Sequence, residues 1–155
     1  MKHLLRKRIL QEKFDSPAQE AVLNLLVAAG HLREQFDRVH DEHRITHGQY
    51  NVLRILKGAY PEGHARRDIT RRMLERAPDV TRLIDRLEKR GLVERIRDRS
   101  DRRLSVTRIT PQGMKLLDTM RPRIDQVHIE LSKKLSPRNC EELSRICELL
   151  YGDAE

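Results

Sequence analysis

A chain of 155 residues and 18.3 kDa, 37% hydrophobic and 36% charged, has the length of one compact domain and enough apolar material for a core. It holds no run of about 18 apolar residues, the apolar stretch after Met1 is too short for a signal peptide, and two cysteines make no disulfide framework, so the expectation is a cytoplasmic protein. The net charge of +8 asks for an anionic partner, and three tyrosines, two phenylalanines and no tryptophan cannot furnish the stacking platforms used on single strands and RNA loops, which leaves duplex DNA.

In chain order, Ser16-Pro17-Ala18-Gln19 sets an N-cap serine, a proline at the first helical position and a glutamine three residues after the cap, the elements of a capping box. The helix it opens is expected to reach about Arg44, because Val22, Leu25, Leu26, Ala29, Leu32, Phe36 and Val39 recur on one stripe. Thr46-His47-Gly48-Gln49 is a second capping box, opening a short helix that carries Tyr50, Leu53 and Leu56 and breaks at Gly58 and Pro61-Glu62-Gly63. A third helix over about 65–74 turns Ile69, Met73 and Leu74 inward. Pro78 then begins a fourth at its first helical position, with Ala77 as a weak cap, Val80, Leu83, Ile84 and Leu87 as the inner stripe, and Gly91 as the stop. Two helices joined by so short a turn make a helix-turn-helix.

Residues 92–97 and 103–109 bracket the polar turn Asp98-Arg99-Ser100-Asp101-Arg102 and predict a β-hairpin, or wing. Thr110-Pro111 restarts helix, and Met114, Leu117, Met120, Ile124, Val127, Leu131 and Leu135 form a stripe that requires a helical partner, with a kink expected at Pro122. Ser136-Pro137 caps a last helix whose apolar face is Cys140, Leu143, Ile146, Cys147 and Leu150. The two cysteines stand two turns apart, about 10 Å, too far to bridge each other, and read as buried core thiols. The fold class expected is mainly α with a small β-hairpin wing.

The charge is localised. Residues 62–110 hold 15 basic and 9 acidic side chains, a net of +6, and the remaining 106 residues only +2. All but one of those 15 are arginine, whose planar fork suits phosphate and guanine. On the fourth helix the face opposite the apolar stripe nominates Asp79, Thr81, Arg82 and Arg86 for base contact in a major groove. Arg66, Arg67, Arg71 and Arg72 on the preceding helix suit phosphates. Arg99, Arg102 and Arg103 at the wing tip suit the minor groove, with Asp101 holding an arginine fork. The competing readings are a solvated charged surface, Asp79 and Asp85 pairing with Arg82 and Arg86 along the helix, and an ordinary polar hairpin turn.

Three segments carry a resemblance: Ile45-Thr-His-Gly-Gln-Tyr-Asn-Val-Leu-Arg-Ile-Leu, the run from Asp79 through Arg86 and Gly91 to Arg95, and Asp98-Arg-Ser-Asp-Arg-Arg-Leu followed by Ile109-Thr-Pro-Gln-Gly. In this order they resemble the MarR family of winged helix-turn-helix transcriptional regulators. The resemblance implies a homodimer on a pseudo-palindromic operator, with a dimerisation helix over 16–45, a DNA-binding region over 46–110 and dimerisation helices over 111–151. The apolar stripes of the terminal helices ask for that partner independently. It implies repression relieved by a phenolic or lipophilic anion, in a region lined by Leu32, Phe36, Tyr50, Leu53, Met114 and Leu117, each of which also fits plain core. Peroxide-sensing relatives carry a cysteine near the N-terminus, and this chain has none there.

Two other function classes compete with this reading. His40, His43 and His47, with Asp37, Asp41 and Glu42, would approach a zinc site if one helix ran through them, which Thr46 as a cap argues against, so the alternative of a zinc-responsive sensor is weaker than solvated or capping histidines. A winged helix used solely for protein contact fits the arginine load poorly. No phosphate-binding glycine loop, zinc-protease helix or nucleophile elbow suggests an enzyme, and no cofactor is implied.

Overall fold

The computed structural model describes residues 4–75, 79–97 and 105–152. The chain divides into two compact units, Met1–Arg38 and Val39–Glu155. The first contains α1 (Leu4–Ile9) and most of α2 (Pro17–Glu42). The short α1 was not anticipated; Leu10 closes it at a φ of 53°, with Gln11 N donating to Arg6 O at 3.1 Å, and the Arg6 guanidinium lies 5.7 Å from the centre of the Phe14 ring. The expected cap of α2 is present with one change. Ser16 Oγ accepts from Gln19 N at 3.1 Å, but the Gln19 carboxamide reaches Asp15 N at 2.7 Å and not the Ser16 amide. Within this unit Val22, Leu25 and Leu26 of the α2 stripe are exposed, and Leu32 and Phe36 are half-buried.

The second unit starts at Val39, in the last turn of α2. Arg44 takes a left-handed φ of 54° and Ile45 N donates back to His40 O at 3.1 Å, a helix-ending turn usually given to glycine. Thr46 then caps α3 (His47–Gly58) as a full capping box: its Oγ1 accepts from Gln49 N at 3.2 Å and its amide donates to Gln49 Oε1 at 2.9 Å. Val52, Leu53 and Leu56 of α3 are fully buried and centre the core with Ile69, Ile84 and Leu87.

A strand the sequence pattern did not reveal, β1 (His64–Ala65), adds to the hairpin of β2 (Val93–Arg97) and β3 (Ser105–Ile109), giving an antiparallel sheet in the order β1-β3-β2. Val93 pairs with Ile109 and Arg97 with Ser105, while His64 pairs with Thr107. Gly63 makes the approach feasible: at φ 79° its hydrogen faces the backbone of β3, where a Cβ would fall 2.2 Å from Thr107 O.

Helix α4 (Arg66–Arg72) buries Ile69; it ends earlier than expected because Met73 turns to an extended conformation, leaving Leu74 74% exposed, contrary to the inward position assigned to it. The Leu74 amide is instead caught by Asn51 Oδ1 at 2.8 Å. Helix α5 (Val80–Lys89) begins after Asp79, later than the proline-led start expected at Pro78, which with Arg76 and Ala77 lies outside the described residues. Gly91 ends it as anticipated, at φ 69°.

Thr110 joins the sheet to α6 (Pro111–Ser132): its hydroxyl accepts from Gly113 N at 3.1 Å and donates to Gly91 O at 2.6 Å. The helix runs continuously through Pro122, and Leu117, Met120, Ile124 and Val127 are buried. Ser136 caps α7 (Pro137–Tyr151), accepting from Asn139 N at 3.2 Å. No residue of α7 is buried in the single chain, Leu143, Ile146, Leu149 and Leu150 are exposed, and Cys140 and Cys147 are half-buried and not the enclosed thiols expected.

Candidate nucleic-acid interface

Helix α5 has two distinct faces. Val80, Ile84 and Leu87 are buried and Leu83 packs toward Gly48 of α3, which at 100° per residue leaves Thr81, Arg82, Arg86 and Lys89 outside. The cap is Asp79, whose Oδ1 accepts from Arg82 N at 3.0 Å while Oδ2 meets Arg82 Nε at 2.9 Å. This carboxylate, nominated for a groove, is therefore engaged with the helix end and with its own arginine, one of the two helix pairings weighed above. The Arg82 side chain nonetheless stays 79% exposed. The second pairing is different: Asp85 bonds Arg95 of β2, and Arg86 is exposed with no ion pair among the described residues.

On α4 the single buried residue Ile69 fixes the helix, and Arg66, Arg67, Arg71 and Arg72 are all exposed, with Arg72 Nη1 donating to Asp68 O at 3.3 Å. The strands β2 and β3 carry the chain toward Arg99, Asp101, Arg102 and Arg103, which lie outside the described residues. Two tethers that the sequence pattern did not disclose hold α5 at its rear. Arg90 donates from Nη1 to Arg44 O at 2.6 Å and from Nη2 to His43 O at 3.2 Å, and Arg95 reaches back to Asp85 and Glu88.

A second feature lies between α3 and α6, a half-open cleft of about 400 Å³ lined by Tyr50, Arg54, Lys57, Gly58, Leu117, Arg121, Ile124, Asp125 and His128. Of the six residues assigned to an effector, it brings together Tyr50 and Leu117. Leu53 is fully buried in the core, Met114 is half-buried outside the cleft lining, and Leu32 and Phe36 belong to the other compact unit. The cationic lining was missed although a signal existed: Tyr50, Arg54 and Lys57 share one helical face, and Leu117, Arg121, Ile124 and His128 another. Lys57 Nζ meets Asp118 Oδ1 at 2.8 Å and Arg121 Nε meets Asp125 Oδ2 at 3.5 Å.

The helix stops at Glu42, between His40 and His43, so His40, His43 and His47 do not share one helical face. His40 is buried, with its ring centre 5.4 Å from that of His47 and 4.9 Å from that of Tyr50. Among the described residues no three His, Cys, Asp or Glu side chains converge as a metal ion requires, and no helix is long and apolar enough to cross a membrane. Displaced titrations occur on α6 and α7. The Lys133 ammonium, hydrogen-bonded to Glu130, holds that carboxyl below its usual range, and the Arg145 fork lowers the Glu142 carboxyl while being raised in turn. These are exposed i, i+3 pairs of the kind that support helices.

Comparison with known proteins agrees with this architecture. The family model described as MarR family matches residues 45–105, the stretch from the residue before the α3 cap to the first residue of β3. A MarR transcription factor from Planctomyces limnophilus is 37% identical, with a TM-score of 0.68 over 88% of this chain and 99% of that one. The MepR–DNA complex of S. aureus, at 22% identity, superimposes with a TM-score of 0.73 over 83% of this chain and 94% of that one. CouR from Rhodococcus jostii RHA1 bound to p-coumaroyl-CoA, also 22% identical, gives 0.73 over 88% and 95%. With 37% identity to a MarR transcription factor over 88% of its own length and 99% of that protein's, this chain belongs to the MarR family.

Proposed function

We propose that the chain is a homodimeric, sequence-specific duplex-DNA-binding repressor, not an enzyme, whose grip is released by a small organic anion. The observation that carries the DNA reading is the exposed arginine surface built on two packed helices: Arg82 and Arg86 on α5, and Arg66, Arg67, Arg71 and Arg72 on α4. Thr81 and Arg82 stand in the first turn of α5, the turn that a groove-bound recognition helix presents to base edges. From the sequence alone, Arg99, Arg102 and Arg103 are assigned to the minor groove, with Asp101 to hold one fork. The test is selection of bound fragments from the organism's genomic DNA, followed by titration of the selected site across ionic strength. Log K is expected to fall linearly with log salt, with a slope set by several phosphate contacts per dimer. A flat response would assign the winged unit to protein contact instead.

The dimer is supported by two apolar surfaces left open in one chain, Val22, Leu25 and Leu26 on α2 and Leu143, Ile146, Leu149 and Leu150 on α7. A second copy is the occupant that the implied two-fold operator requires. Sedimentation should give a mass of two chains, and charged substitutions at Leu26 or Ile146 should shift it toward one.

The cleft between α3 and α6 supports the effector reading. Arg54, Lys57 and Arg121 surround an apolar wall of Leu117 and Ile124 beside Tyr50, which suits a carboxylate on an aromatic or acyl body. A panel of phenolic acids should contain compounds that raise the melting temperature and weaken operator binding. Arg54→Ala with Arg121→Ala should remove both effects and leave binding of DNA in the absence of ligand within about twofold, a difference of about 0.4 kcal/mol.

A further inference from the structure

Arg95 sits at the centre of β2, opposite Thr107 in the ladder. Its guanidinium takes two carboxylates of α5 together: Nη1 donates to Glu88 Oε2 at 2.7 Å and Nη2 donates to Asp85 Oδ1. Those acids stand three residues apart on a helix otherwise faced with Arg82, Arg86 and Lys89. All three groups are only partly covered, with 34% of the Arg95 side chain exposed, 43% of Asp85 and 38% of Glu88. Asp85 and Arg95 also help to wall a recess of about 370 Å³ between α4, α5 and the sheet, beside Arg66 and Thr81.

Two open carboxylates next to a phosphate backbone would oppose binding, and the planar fork of Arg95 offers each of them its own terminal nitrogen. We infer that Arg95 is a positioning residue for DNA recognition, acting through Asp85 and Glu88: it draws both carboxylates toward the sheet and neutralises one charge of the pair, and does not itself touch DNA. This rests on the DNA-binding reading above. It differs from the roles of Arg82, which meets only the single carboxylate of its own cap Asp79 and stays 79% exposed, and of Arg66, which is exposed.

The test is a double-mutant cycle on the full dimer with a selected operator fragment, crossing Arg95→Ala with the pair Asp85→Asn and Glu88→Gln. With the carboxylates present, Arg95→Ala is expected to weaken operator binding about tenfold or more, and in the amide background to change it by less than about threefold. A direct DNA contact by Arg95 would cost affinity in both backgrounds and overturn the inference, as would an unchanged affinity of Arg95→Ala. A merely structural role would lower the melting temperature without changing the affinity of the folded fraction, so all four chains are also melted. If Arg95→Ala does not fold, Arg95→Gln keeps the stem and removes the charge, and the same cycle decides. Failure of the unmodified chain to retain any fragment would instead overturn the DNA reading itself.

Discussion

Gly113→Ala is expected to destabilise the fold by about 3 kcal/mol or more, since overpacking a core typically costs about 1–3 kcal/mol and here the obstacle is backbone. A Cβ at this position would fall 2.2 Å from Leu92 O and 2.8 Å from Ile109 Cγ1. Neither can withdraw easily, because Leu92 O also accepts from Thr110 N at 3.1 Å and Ile109 is buried. For a chain of this size that loss corresponds to roughly 6–12 °C in melting temperature. Gly58→Ala is the matched control: a Cβ there meets nothing within 4 Å, and stability should rise by about 0.5 kcal/mol. Urea denaturation of the two variants should give opposite signs. Equal small effects would mean that α6 leaves the sheet by a different path.

Arg82→Ala is expected to remove discrimination at one base pair of each half-site, about 1–3 kcal/mol for every half-site contacted. In the free chain the guanidinium is already oriented by the Asp79 carboxylate through Nε, so less side-chain freedom is lost on docking. Competition between the selected operator and variants with single base-pair changes measures this directly. The variant should treat one position as degenerate while retaining preference at the others. A loss of equal size on every sequence, with a salt slope reduced by about one per arginine removed, would make Arg82 a phosphate anchor instead.

The helical frame was legible because its signals are local. The Thr46, Thr110 and Ser136 caps, the Gly91 stop and the apolar stripes of α5 and α6 each depend on residues within a few turns, and each appears in the structure where expected. What escaped depends on distance or brevity. β1 has two residues, too few for any periodicity, and is defined by its partner Thr107 rather than by its own composition. The start of α5 was read from Pro78 because proline favours a first turn, yet Asp79 has the side chain that bonds the free amide. The rear tethers of α5 were invisible for another reason. Arg90 bonds carbonyls 46 and 47 residues earlier, and a carbonyl has no identity in a sequence. The cleft lining was readable as two separate faces, but only packing reveals that Arg54 and Arg121 look into one space.

The polar ties at the end of α5 bear on how an effector would be felt at the DNA. Arg90 is bonded to the elbow at His43 and Arg44, Gly91 O to the Thr110 hydroxyl, and Leu92 O lies over Gly113 at the root of α6. These backbone-directed polar ties thus gather at the C-terminal end of the helix, whose 10 residues span about 15 Å. A tilt of about 10° at the root displaces the far tip by roughly 2.5 Å, close to the whole length of a hydrogen bond. Thr81 and Arg82 ride on that tip. On the effector reading proposed above, a ligand wedged between α3 and α6 would have no need to unfold or cover the reading surface; a few degrees at the root would lift Thr81 and Arg82 off the bases.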